Sequence, residues 1–130
     1  MVIFCTTRFK TDYHKLLKSN AYRDLEEELI ISFFNKSDEE ICHGITIVGN
    51  KDRRVIKKRL GGRGGFRIYF FAYIVDSKVY LSHIYPKTGP QGKKSLNKQY
   101  ETMLIAETAD AIITGQLFVL SVKGGKLSFE

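Results

Sequence analysis

Four glycines within five residues, Gly61-Gly62-Arg63-Gly64-Gly65, interrupt the chain between two runs of strand-forming residues. Glycine loses more backbone freedom on ordering than any other residue, so this density is tolerable only in a tight turn. Before the turn, residues 53–60 (RRVIKKRL) read as a basic strand. Its two-residue period puts Arg53, Val55, Lys57 and Arg59 on one face and Arg54, Ile56, Lys58 and Leu60 on the other. After the turn, Arg67, Tyr69, Phe71 and Tyr73 alternate with Phe66, Ile68, Phe70 and Ile74. Asp76-Ser77 makes a second turn, and Val79, Leu81, His83, Tyr85 and Lys87 are expected to share a face of a third strand. The segment therefore predicts an antiparallel meander whose aromatic faces pack on the N-terminal helices. Arg67 is its anomaly, because an ionised guanidinium in an apolar run costs free energy unless it is paired or turned to solvent or ligand.

Charge is concentrated in the same region. The formal net charge is +7, yet residues 41–100 hold thirteen Lys and Arg against only Asp52 and Asp76, while both flanks are mildly acidic. A cationic field set among glycines and aromatics favours a polyanion, and nucleic acid is the commonest one in a cytoplasm. The glycine turn has no Lys-Ser/Thr pair and opens no helix, which excludes a nucleotide P-loop. With two carboxylates in the basic middle, a metal site is not expected there. Cys5 and Cys42 have neither metal nor redox spacing, so a reducing cytoplasmic setting is expected, with no cofactor. No stretch approaches membrane-spanning length, and no membrane partner is expected.

The flanks read as support for the meander. Residues 2–6 are short, apolar and β-prone, and Thr7 is placed to cap a helix carrying Phe9, Tyr13, Leu16 and Leu17. Leu25, Leu29 and Phe33 mark a second helix with acids in its first turns, where the macrodipole favours them. Residues 35–44 look like a loop, and 41–48 like a short edge strand. Ser95 or Asn97 caps a third helix through Leu96, Tyr100, Met103 and Leu104, with Gly115 as its stop. LFVLSV and KLSFE around Gly124-Gly125 predict a C-terminal hairpin. The expectation is one α+β domain over 1–130, an N-terminal strand and two helices on a small antiparallel sheet, with 116–130 as a hairpin extension.

If Lys57, Arg59, Arg67 and Lys87 converge beside Tyr69, His83 and Tyr85, the face can hold a phosphodiester through charge-assisted bonds and stack a base. Arg54, Lys58, Arg63, Lys93 and Lys94 extend the expected RNA-binding set. Such a face can also cleave RNA without metal. A lysine crowded by like charges would move protons, and arginine would stabilise the phosphorane. The three histidines, His14, His43 and His83, lie in distant segments, and His83 reads as a wall residue rather than half of a histidine pair.

Lys57 and Arg59, the turn GGRGGFR, Tyr85-Pro86-Lys87 and Ser95-Leu96, in that order, resemble the RelE/ParE toxin superfamily of bacterial type II toxin–antitoxin systems, in its HigB-like branch. There a basic strand runs into a turn of the form G-x-G-K-S-G-G-[YF]-R and a later strand ends Y-x-K. CTTRF is likewise similar to the family's T-x-x-F helix start, and the resemblance spans about residues 2–113. It implies a RelE-like fold and a ribosome-dependent endoribonuclease, an mRNA interferase that needs no metal. Lys57 and Arg59 would contact the backbone and assist proton transfer, Arg67 would stabilise the scissile phosphate, and Lys87 would be an acid or second phosphate contact. The implied partners are the ribosome with its mRNA and a cognate antitoxin, often a helix-turn-helix DNA binder. Two other readings stand beside it: a non-nucleolytic superfamily member, either gyrase-directed or an inactive RNA-binding relative, and an unrelated basic binding module.

Overall fold

The apolar stretch after Met1 forms strand β1 (Val2–Thr6), and Thr6 ends it by capping the first helix, α1 (Thr7–Leu17). The Thr6 Oγ1 accepts from the Phe9 backbone N–H at 3.2 Å, so the cap falls one residue before the expected Thr7. Phe9, Tyr13 and Leu16 form the buried stripe of α1. A 3₁₀ turn (Asn20–Tyr22) leads into α2 (Leu25–Phe33), which buries Leu25, Leu29 and Phe33.

The expected loop at 35–44 contains a one-turn helix, α3 (Asp38–Ile41). It is closed by a capping box in which Ser37 Oγ accepts from Glu40 N and the Glu40 carboxylate accepts from Ser37 N. Strands β2 (Ile45–Gly49), β3 (Arg53–Leu60), β4 (Phe66–Tyr73) and β5 (Lys78–Pro86) follow. Helix α4 (Lys98–Thr114) starts at an Asn97 cap and stops at Gly115, whose φ of 74° suits glycine. The hairpin β6 (Leu117–Lys123) and β7 (Lys126–Phe129) completes the chain.

The computed structural model describes residues 1–61, 65–93 and 95–130. Its strands form a single mixed sheet in the order β2-β3-β4-β5-β1-β6-β7, so the small antiparallel sheet expected from sequence is corrected to seven strands. β1 runs parallel to β5 and antiparallel to β6, and the remaining pairs are antiparallel. The C-terminal hairpin joins the main sheet, where β6 covers the edge of β1 that β5 leaves open. Among the described residues no helix is long and apolar enough to cross a membrane.

The central strands of the sheet are covered on both faces. Ile56, Leu60, Phe66, Ile68, Phe70, Val79, Leu81 and Ile84 pack with Ile3 and Cys5 against the stripes of α1, α2 and α3. Val55, Tyr69, Phe71, Tyr80 and Tyr85 pack under Leu104 of α4. The meander's apolar faces are therefore divided between the N-terminal helices and α4, where the expectation gave both to the N-terminal helices. A register shift opposite Tyr69/Phe70 pairs Tyr69 with His83 but Phe70 with Leu81, leaving Ser82 as a bulge. The bulge breaks the expected alternation. Leu81 joins the α1–α3 side, while His83 pairs with Tyr69 and lies with Tyr85 on the α4 side.

Leu120 pairs with Ile3 and is 4% exposed, in the same core as α1 and α2. Leu120→Ala is expected to cost about 2–4 kcal/mol of unfolding free energy, read as a lower urea midpoint with an unchanged slope. A loss below about 0.5 kcal/mol would mean that the hairpin is peripheral.

Candidate nucleic-acid interface

Two cross-strand rows build the site. In the first, Lys57 of β3, Tyr69 of β4 and His83 of β5 lie opposite one another; in the second, Arg59, Arg67 and Tyr85 do. Lys87 continues the same alternation past the end of β5, its backbone N–H donating to Gly65 O at 3.1 Å. The register thus brings Lys57, Arg59, Arg67 and Lys87 onto one side of the sheet with all three expected rings. Two arginines directly opposite each other disfavour the bare pairing, as like charges do in any antiparallel ladder. The Arg67 guanidinium donates to the Phe66 carbonyl at 3.2 Å.

The rings and the cations are not equally available. Tyr69, His83 and Tyr85 are each less than 5% exposed, whereas Arg59 is exposed and Lys57, Arg67 and Lys87 are half-buried. The aromatic bodies form an apolar layer between sheet and α4, and the charged heads emerge at its margin, as long cationic side chains on apolar surface do. In this arrangement the three rings are wall and floor, with no open stacking face. The Lys57 ammonium lies 5.9 Å from the Tyr69 ring centroid, within cation–π range.

Each buried polar group of the layer has a definite environment. The Tyr69 hydroxyl donates to Glu101 in the first turn of α4 at 2.5 Å. Burial, and then the Glu101 carboxylate, push its phenol far above the ordinary range. His83 Nδ1 lies 2.6 Å from Asp12 Oδ2 of α1. The His83 Nε2 and the Tyr85 hydroxyl are buried with no hydrogen-bond partner among the described residues. The His83 and Tyr85 rings stack with centroids 5.8 Å apart, and Tyr100 lies 5.5 Å from His83. Burial also pushes the Tyr85 phenol up, opposed by the Arg67 charge.

The other expected contacts are dispersed. Arg54 and Lys58 lie on the opposite face, toward α2 and α3, in alternation with the buried Ile56 and Leu60. Lys58 Nζ donates to the carbonyls of Glu40 and Ile41 at 2.7 and 2.8 Å and lies 5.3 Å from the Phe33 ring centroid, so it secures the end of α3. Burial lowers its pKa. Lys93 is exposed, 6.0 Å from the Tyr100 ring centroid. Arg63 and Lys94 lie outside the described residues. Asp12, Tyr100 and Glu101 were not singled out from sequence. A carboxylate on a helix's polar side gives no hint that it meets a histidine 71 residues away. Among the described residues no cluster of three His, Cys, Asp or Glu could hold a metal ion.

The faces should separate by mutation. Lys58→Ala should lower stability by about 1–2 kcal/mol through loss of two charge-assisted bonds and leave affinity for single-stranded RNA unchanged. Arg59→Ala should instead weaken affinity for single-stranded RNA and flatten its salt dependence. Urea unfolding and fluorescence anisotropy on both variants check this.

No protein-family model matches the chain and no curated protein matches it, so the chemistry of this face is read from its own residues.

Proposed function

We propose that the chain is the toxin of a bacterial type II toxin–antitoxin system, a metal-independent, ribosome-dependent endoribonuclease acting on mRNA in the cytoplasm. The observation that carries the reading is the convergence of Lys57, Arg59, Arg67 and Lys87 on one margin of β3-β4-β5. A RelE-like core is the reading of the strand–helix–helix–meander order with β1 beside β5. On this reading β2 and the β6–β7 hairpin are additions to that core.

The chemistry needs three things of such a margin. The ribose 2′-hydroxyl loses its proton and attacks the adjacent phosphorus, so that the O2′–P bond forms and the P–O5′ bond breaks. The products are a 2′,3′-cyclic phosphate and a 5′-hydroxyl. Arg67, with Arg59 opposite it, stabilises the dianionic phosphorane. Lys57 and Lys87 flank the pair and handle the two protons, one taken from O2′ and one given to O5′. The ribosome orients the mRNA, and a cognate antitoxin with a helix-turn-helix DNA-binding part masks the basic margin.

One observation favours a second reading, a superfamily member that binds its target without cutting RNA. The rings that would stack a base are buried beneath α4, so that this face offers a polyanion charge rather than an open stacking surface.

Induced expression of wild type and Arg67→Ala in a bacterial host, with mRNA 5′ ends mapped against reading frame, separates the two. Growth arrest with frame-phased cleavage is expected for wild type. The folded mutant should cut more slowly by about a hundredfold or more, as when one transition-state donor is removed. Arrest with intact mRNA would shift the assignment to a non-nucleolytic target such as gyrase, and unimpaired growth would remove the toxin reading.

A further inference from the structure

Around the corner from the basic margin, α1, the end of β5 and the loop after it enclose a cavity of about 370 Å³. That is within the roughly 300–1,000 Å³ range of small-molecule sites. It forms because β1 pairs with β5 only as far as Leu81, so that α1 takes the strand's place beside residues 82–86. The far wall is fixed by Tyr22. Its hydroxyl donates to Thr88 O at 3.1 Å and accepts from Gln91 N at 2.7 Å, while Lys93 N donates to Pro86 O at 2.9 Å. Gly89 is needed there, since a Cβ would lie 2.8 Å from the Tyr22 hydroxyl. The wall is therefore built before any ligand arrives.

Its lining combines opposed chemistries. His83 and Tyr85 both line it, beside the Asp12 carboxylate that holds His83 Nδ1. Pro86 and Pro90 add apolar surface, and the exposed Lys15 and Lys93 stand on either side. Because Pro86 turns its carbonyl to this edge, strand alternation turns the Ile84 backbone N–H and C=O the same way. An adjacent donor and acceptor on a strand edge match the donor–acceptor edge of a nucleobase. Two cations at the rim match a phosphate. Lys87, one residue beyond Pro86, joins this cavity to the basic margin.

We infer that the cavity seats a single nucleotide of the RNA strand that crosses the basic margin. The base lies against the β5 edge, and its phosphate sits between Lys15 and Lys93. Asp12 is a positioning residue, holding the His83 ring through Nδ1 at the cavity wall. The identity of the ligand as RNA rests on the function proposed above. The seat itself is a property of the folded chain and needs neither ribosome nor cleavage.

Titration of the isotopically labelled full chain with each of the four nucleoside 5′-monophosphates, followed by NMR, tests it. Inorganic phosphate and ribose 5-phosphate serve as controls. The expected result is saturable shifts at the Lys15, Ile84 and Gln91 amides and the His83 ring, larger for some bases than others and not reproduced by the controls. The double variant Lys15→Glu/Lys93→Glu, altered only at exposed positions, should bind about tenfold more weakly. His83→Gln should change the order of preference among bases. No shift at these groups, or equal shifts with ribose 5-phosphate, would overturn the inference. Absent binding in a protein that still cleaves mRNA sinks this seat alone. Binding in a protein that neither cleaves nor arrests growth sinks the toxin reading alone.

Discussion

The pairing of β4 with β5 slips by one residue at Ser82, and the composition of both sheet faces depends on that slip. Without it, strict alternation would keep His83 and Tyr85 on the face of Val79 and Leu81, among the apolar stripes of α1 and α2. With it, Leu81 and Ile84 both fill the helical core, while His83 and Tyr85 come to the α4 side. The bulge is clamped from two directions. The Thr108 hydroxyl of α4 donates to Ser82 Oγ at 2.8 Å, and the Thr6 hydroxyl donates to Ser82 O at 3.3 Å. Thr6 is also the cap of α1, so one side chain ties the start of that helix to the strand it packs against.

From the bulge follows the layering that gives the basic margin its character. Tyr69, Tyr85 and Phe71 make an apolar bed under Leu104, and the cations of β3 and β4 rest their stems at its margin. Opposing Arg59 and Arg67 across a strand pair is a local conflict. A fold with a packed bed on one side and a helical core on the other can sustain it, and such conflicts concentrate at functional surfaces. Lys58, one residue from both Lys57 and Arg59, is spent on the carbonyl end of α3 instead. Neighbouring cations on one strand thus lie on opposite faces, Lys58 toward α3 and Lys57 and Arg59 on the side of the aromatic bed.

Much of this architecture is legible in the residues. The i, i+4, i+7 stripe of Phe9, Tyr13 and Leu16 and the Asn97 and Gly115 boundaries of α4 each express a local rule, and each element is where its rule puts it; the glycine turn lies largely outside the described residues. The face shared by Lys57, Arg59 and Arg67 is legible for the same reason, since period two is a local property. What escapes is non-local. Nothing in LFVLSV tells that β6 pairs with β1 rather than standing apart with β7. No glycine or proline marks Ser82 as a bulge. The contacts of His83 with Asp12 and of Tyr69 with Glu101 join side chains from separate elements, which only the packed fold brings together.

The central claim is that Lys57, Arg59 and Arg67 of β3 and β4 are the contacts for a polyanion. The salt dependence of single-stranded RNA binding by wild type, Arg59→Ala and Arg67→Ala tests it most directly. Each cation that neutralises a phosphate releases condensed counterions. Each substitution should therefore flatten the plot of log K against log salt by about 0.7, in addition to weakening binding. A slope unchanged in both variants, with folding intact, would place the RNA elsewhere on the molecule and contradict the account.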